Sequence, residues 1–241
     1  MKLRDQVAFI TGASHGLGLA IARELAAEGA GVALVARAGA KLDQAVASLG
    51  AGSRAIGVGC DVTRESDVAA AVGRTLAELG RLDIVVLNAG TWAGGPIVET
   101  TEAAWDSLLD LNLKGAFLTL KHALPPLIAQ RRGTVIGIAS LGALVGQPGS
   151  AAYAASKWGL RGLLESAALE VKPQRVRVSL VYPHNINSAG EAYAAGSPER
   201  DDHLEPSEIA SLVGWICTAP DHVGVGNVSV WPIHAGLKAQ L

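Results

Sequence analysis

Short runs of β-branched and aliphatic residues recur along the chain, and longer stretches of helical period separate them. Val7–Ile10, Val32–Val35, Arg54–Val58, Ile84–Leu87, Thr134–Ile138, Val176–Val181 and Val228–Trp231 read as seven strands. Between the first two, Leu17–Glu28 carries apolar residues at 17, 21 and 25. Val68, Val72, Leu76 and Leu79 line one face of a second helix, with Thr63 placed to cap it. The stretch from Trp105 to Ala129 reads as two helices, or as one interrupted near Asn112. Tyr153–Val171 forms another, ended by Pro173, and Pro206 suits the first turn of a last helix that stops before Pro220. Strict alternation of β and α implies a parallel sheet with right-handed crossovers and helices on both faces. The fold class expected is α/β, one doubly wound domain over residues 1–241 with a seven-stranded parallel sheet. Ligands of such sheets bind beyond the carboxyl ends of the strands.

Composition agrees with that order. The chain is 49% apolar but only 4% aromatic, so its core must be built from Ala, Val, Leu and Ile, which suits parallel strands buried on both faces. Net charge is −2, and Arg131-Arg132 is the only adjacent basic pair, so no nucleic-acid partner is expected. No stretch is long and apolar enough to span a bilayer, and Met1–Asp5 runs straight into the first strand. A soluble, cytoplasmic protein is expected, without a membrane partner. Cys60 and Cys217 suit small buried hydrophobes, and the six histidines show no ligand spacing, so no catalytic metal is expected.

The segments after the strands hold the unusual residues. Thr11-Gly12-Ala13-Ser14-His15-Gly16-Leu17-Gly18 joins the first strand to the first helix. Glycines there let the chain turn sharply and bring backbone N–H groups and a helix N-terminus to a pyrophosphate, although a plain connection would use similar residues. Asp61-Val62 follows the third strand and Asn88-Ala89-Gly90 the fourth. Both have bland readings as cap and turn, and both fall on the binding edge, in line with an adenine contact and a backbone segment beside a ribose. Tyr153 and Lys157 are four residues apart, hence on one helix face, where an ammonium lowers a phenol pKa from about 10 and makes an acid–base usable at neutral pH. Ser140 lies thirteen residues upstream.

These residues, with Asn112 and the Pro183 segment, resemble the short-chain dehydrogenase/reductase family over nearly the whole chain. The resemblance implies a Rossmann domain and an NAD(P)-dependent oxidoreductase interconverting a ketone or aldehyde and an alcohol. It implies a tetrad in which Ser140 hydrogen-bonds the substrate carbonyl and Tyr153 donates the proton. Lys157 would lower the tyrosine pKa and hold the nicotinamide ribose, and Asn112, at the suspected kink, would hold a water connecting Lys157 to solvent. It also implies Gly12, Ser14, His15, Gly16, Leu17, Gly18, Asp61, Val62, Asn88, Ala89, Gly90, Pro183, Ile186 and Ser188 as cofactor contacts. A binding protein that keeps the fold but has lost turnover is the alternative.

Two departures from the family matter. His184 replaces the usual glycine after Pro183, and the chain ends its last strand with Trp231-Pro232-Ile233-His234 in place of Asp-Gly-Gly. His184 either turns into the loop-like stretch Ser188–Glu205, the expected substrate loop, or projects over the site and titrates between about pH 6 and 8. Trp92 is a substrate-pocket residue or a helix-packing one. The second strand ends in Ala36 followed by Arg37, where an acidic residue would hold ribose hydroxyls, so NADP(H) is expected over NAD(H), with His15 a weaker second contact. The helices Asn112–Ala129 and Tyr153–Val171 resemble the pair that family members pack into a four-helix interface, where their alanines permit close approach; with a second surface at the last helix and the Val228–Trp231 strand, the resemblance implies a homotetramer, or a dimer.

Overall fold

The structure, a computed structural model, describes residues 1–187 and 197–233. The seven expected strands are present: β1 (Val7–Thr11), β2 (Gly31–Ala36), β3 (Ala55–Gly59), β4 (Ile84–Leu87), β5 (Gly133–Ile138), β6 (Val176–Pro183) and β7 (Asn227–Val230). All pairings are parallel, in the order β3-β2-β1-β4-β5-β6-β7. The order reverses between β1 and β4, so the crevice at their carboxyl ends is the topological switch point.

The helices are α1 (Gly16–Ala27), α2 (Ala40–Ala47), α3 (Glu65–Leu79), α4 (Glu102–Leu109), α5 (Gly115–Ala129), α6 (Ala151–Val171), α7 (Pro198–Asp201, a single turn) and α8 (Pro206–Thr218). Successive strand residues face opposite layers. Phe9, Val35, Val85 and Val135 pack with α3, α5 and α6, while Ile10, Leu34, Val86 and Ile136 pack with α1 and α8. Both faces are covered, so the strands read as continuous apolar runs.

Three local features correct or sharpen the pattern-based reading. The cap of α3 is Arg64, not Thr63, because the Thr63 hydroxyl is spent on Asp61 Oδ1 at 2.8 Å. The stretch after Thr101 resolves into α4 and α5 joined by a π-helical turn at Asp110–Lys114, which carries Asn112 at the suspected kink. Within the expected substrate loop, Pro198–Asp201 forms a helical turn and Leu204 bridges to Ile186. Pro206 stands in the first turn of α8, behind a reciprocal cap between Glu205 and Glu208.

Candidate active site

The carboxyl ends of β1 and β4 are stapled together. The Thr11 hydroxyl accepts the backbone N–H groups of Asn88 and Ala89, each at 3.0 Å, and donates to the Val86 carbonyl at 3.2 Å. The Asn88 amide donates back to the Thr11 and Gly12 carbonyls at 2.9 and 3.3 Å. Asn88-Ala89-Gly90 is thereby held against the glycine-rich turn. Gly12 has φ +67°, and a Cβ there would stand 2.9 Å from the Ala89 Cα. Only glycine fits that turn. His15, the N-cap of α1, makes no side-chain capping bond, and the first turn holds no acidic residue. Among the described residues, the N–H groups of Gly16, Leu17 and Gly18 thus have no side-chain acceptor at this end. Such a cradle fits a pyrophosphate.

Ala13 N–H bonds the Val35 carbonyl at 3.2 Å, which sets the turn, with Ser14 next in it, beside the end of β2 and the exposed Arg37. Asp61, past β3, is held below the usual carboxylate range by the backbone and hydroxyl donors of Thr63, with Arg64 and Arg37 adding to the effect. Val62 is buried in the core. These residues form an open shelf at one end of the crevice.

The other end deepens into a cleft of about 540 Å³ that brings together His15, Asn88, Gly90, Ser140, Tyr153, Lys157, Pro183, His184 and Ile186. Ser140 ends the β5 connection and accepts the Gly142 N–H at 3.1 Å. Tyr153 and Lys157 stand one turn apart on α6. Burial raises the Tyr153 pKa above its ordinary value, with the neighbouring Ser140 hydroxyl pulling it partly back. Lys157 is 6% exposed and burial pulls it down to about 8. Its Nζ donates to the Ile138 carbonyl at 3.0 Å and lies 5.8 Å from the centre of the Tyr153 ring. The expected lowering of the tyrosine pKa by Lys157 is therefore absent from this state, because the ammonium is turned to the end of β5 and burial dominates the phenol.

Asn112 is 1% exposed, and its amide is fully engaged. Oδ1 accepts Thr91 N–H at 2.8 Å, and Nδ2 donates to the Thr91 carbonyl at 2.9 Å and to Ser156 Oγ at 3.0 Å. Ser156 in turn donates to the Tyr153 carbonyl at 2.7 Å. The π-helical turn thus ties the segment after Gly90 to the helix that carries Tyr153. A Cβ on Gly90 would lie 3.1 Å from Asn112 Oδ1 and 3.6 Å from Lys157 Nζ, so a bare glycine keeps the space between them open.

Trp92 is 64% exposed and lines the cleft, its ring lying against Gly94. Among the described residues it joins neither hydrophobic core cluster. His184 also lines the cleft, and its backbone N–H continues the ladder to Val230 at 2.9 Å. Burial and His203 lower its pKa, Asp202 opposes them, and Nδ1 is buried without a hydrogen-bond partner among the described residues. The ring is therefore both cleft wall and neighbour of the segment before α8. Ser188 lies outside the described residues. Val145, Gln147 and Ser150 line the cleft as well; nothing in their sequence context marked them. Ser156 had one signal, its place inside the Tyr153–Lys157 spacing.

The family model for short chain dehydrogenases matches residues 6–195. The chain belongs to that family. It is 32% identical to an uncharacterized oxidoreductase of Listeria monocytogenes, over 96% of this chain and 98% of the relative. Among solved structures, a metagenomic short-chain oxidoreductase in complex with NADP is 40% identical with a TM-score of 0.84, covering 96% of this chain and 99% of the other. An alcohol dehydrogenase from the archaeon Thermococcus sibiricus, complexed with 5-hydroxy-NADP, is 30% identical with a TM-score of 0.87, over 95% and 97% of the two chains. This short chain dehydrogenase is thus an oxidoreductase on the doubly wound parallel fold. None of its described helices is long and apolar enough to cross a membrane.

Proposed function

We propose that this dehydrogenase is an NADP(H)-dependent carbonyl reductase/alcohol dehydrogenase with Asn112, Ser140, Tyr153 and Lys157 as its working residues. The carrying observation is the convergence of Ser140, Tyr153 and Lys157 on one cleft that continues into the Gly12–Gly18 cradle. Bound nicotinamide supplies the hydride. Tyr153, held protonated by burial, stands ready to give its proton to the carbonyl oxygen that accepts it, and Ser140 offers a hydroxyl to the same oxygen. Lys157 serves as the relay that recharges the phenol. A pKa of about 8 lets it hold or release a proton near neutrality. Asn112 fixes the Thr91 segment against α6 and so positions this relay; both donors of its amide are spent on Thr91 and Ser156, which leaves no side-chain donor for the water that the resemblance implies.

The open shelf favours NADP(H). Ala36 presents no carboxylate at the end of β2, and exposed Arg37 and His15 are free to face a 2′-phosphate. The two neighbours that carry NADP or its 5-hydroxy derivative support the same choice. A cytoplasmic setting fits a dependence on reduced NADP.

The binding-only alternative draws on His184, which narrows the cleft where the family leaves room. Following NADPH absorbance across a panel of aldehydes and ketones decides between them. Turnover of any member supports the reductase. Tight NADPH binding with no turnover across the panel supports the alternative.

A homotetramer, or a dimer, fits the exposed apolar residues of two surfaces. Trp105, Phe117 and Trp158 stand out from α4, α5 and α6, while Trp215 on α8 and Trp231 after β7 are exposed elsewhere. Ala154, Ala155 and Ala168 are partly exposed on α6, whereas Ala167 belongs to the core.

A further inference from the structure

The opposite edge of the sheet holds a second cavity, of about 370 Å³, with no part in the chemistry above. Four arginines line it, Arg131, Arg132, Arg175 and Arg177, together with Asp83 and Asp221. The chain as a whole carries −2, so this excess of positive charge is local. Asp83 is already answered, because Arg81 grips both its oxygens at 2.7 Å and Val7 N–H adds a third bond at 2.9 Å. Asp221 receives Arg132 at 3.3 Å across an exposed gap.

Helix carboxyl ends point to this edge, and their carbonyls explain part of the arginine content. Arg177 donates to the Ala219, Pro220 and Val223 carbonyls and to Thr134, and Arg131 reaches the Pro173 carbonyl at 3.1 Å. Arg175 has no side-chain hydrogen bond or ion pair among the described residues.

Two features carry a cost. Arg131 and Arg175 are the non-glycine residues with positive φ among those described, at 51° and 61°, a conformation that costs an L side chain about 1–2 kcal/mol. Arg132 and Arg175 also directly precede Gly133 and Val176, which are paired across β5 and β6. Like charges at the same level of adjacent strands repel. Glycine would satisfy both turns without strain or charge, and the chain uses it freely elsewhere.

We propose that this cavity is a second ligand site, binding a compact oxyanion with two or more negative charges, phosphoryl or carboxylate. Arg175 and Arg131 supply planar donor forks at the rim, Arg132 swings between Asp221 and the ligand, and Arg177 supplies fixed positive charge behind them.

Calorimetric titration with inorganic pyrophosphate and, separately, citrate tests this, with NADPH at saturation so that the nucleotide cradle is filled. One saturable site is expected for at least one probe, weakened by added salt. Pyrophosphate alone indicates a phosphoryl ligand, citrate alone a carboxylate, and both the shared chemistry. Arg131→Gly/Arg175→Gly should raise Kd at least about tenfold. Glycine accepts positive φ, so this variant should unfold at the same temperature or higher in anion-free buffer. Arg175→Gln alone should weaken binding in the same direction. No saturable binding of either probe, or unchanged affinity in the double variant, overturns the proposal.

Discussion

Lys157 gives its ammonium hydrogen bond to the Ile138 carbonyl, 3.0 Å away, while Tyr153 one turn earlier keeps a phenol that burial has made harder to ionise. The pair is thus split in this state, with a protonated acid beside a lysine brought down to about 8. For reduction this is the useful assignment, since the phenol begins with the proton it must give.

The buried lysine has a stability consequence. Its folded pKa lies below the ordinary 10.5, so the cost of holding the charge is fully present below about pH 8. Between there and about 10.5 the unfolded chain binds more protons, and folding stability rises with pH. Lys157→Met should therefore stabilise the cofactor-free protein at pH 7 by roughly 2 kcal/mol, from a charge cost of about 3 less the lost hydrogen bond. The gain should shrink as pH approaches 10. Urea unfolding of both proteins at pH 7 and pH 10 checks this; an equal difference at the two pH values counts against it.

Cofactor choice is expected to turn on Ala36. This residue ends β2 beside the glycine-rich turn, with exposed Arg37 next to it. Ala36→Asp would place a carboxylate where a 2′-phosphate must sit. The ratio of kcat/KM with NADPH to that with NADH should fall at least about tenfold, or 1.4 kcal/mol. A higher kcat/KM with NADH than with NADPH in the unmodified enzyme would show that the preference is misassigned.

His184 is expected to narrow the range of substrates. Its ring lines the cleft, and its pKa is lowered first by burial and then by His203, against Asp202. It is therefore neutral at pH 7, and its charge changes below the ordinary value of 6.5, not across the pH 6 to 8 window that an unperturbed imidazole suggests. His184→Gly should broaden acceptance of bulky ketones and change the pH profile of kcat/KM on its acid side only. Identical substrate range and profile in the variant would leave His184 as a packing residue.

What the sequence made legible was local. The period of the apolar runs located every strand, and the Tyr153–Lys157 pair and the glycine turn were readable because each lies in a short motif whose spacing the helix and the turn dictate. What escaped depends on competition or on distant partners. Thr63 looked like a cap until Asp61 claimed its hydroxyl. Helix α2 (Ala40–Ala47) is little more than two turns long, too short for a helical period to show, and went unread. The direction of Lys157 depends on a carbonyl nineteen residues away. The arginine-lined cavity exists only because parallel pairing sets the entries of β5 and β6 side by side, which no single stretch of sequence records.

The central claim is that Tyr153 is the acid in an NADPH-dependent carbonyl reduction. The direct measurement compares the unmodified enzyme with Tyr153→Phe, following NADPH consumption with a carbonyl substrate found in the panel and NADPH affinity by fluorescence titration. Removing one hydroxyl should lower kcat by about 10²–10⁴-fold, with NADPH affinity nearly unchanged. A Tyr153→Phe enzyme that keeps most of its turnover would contradict the account.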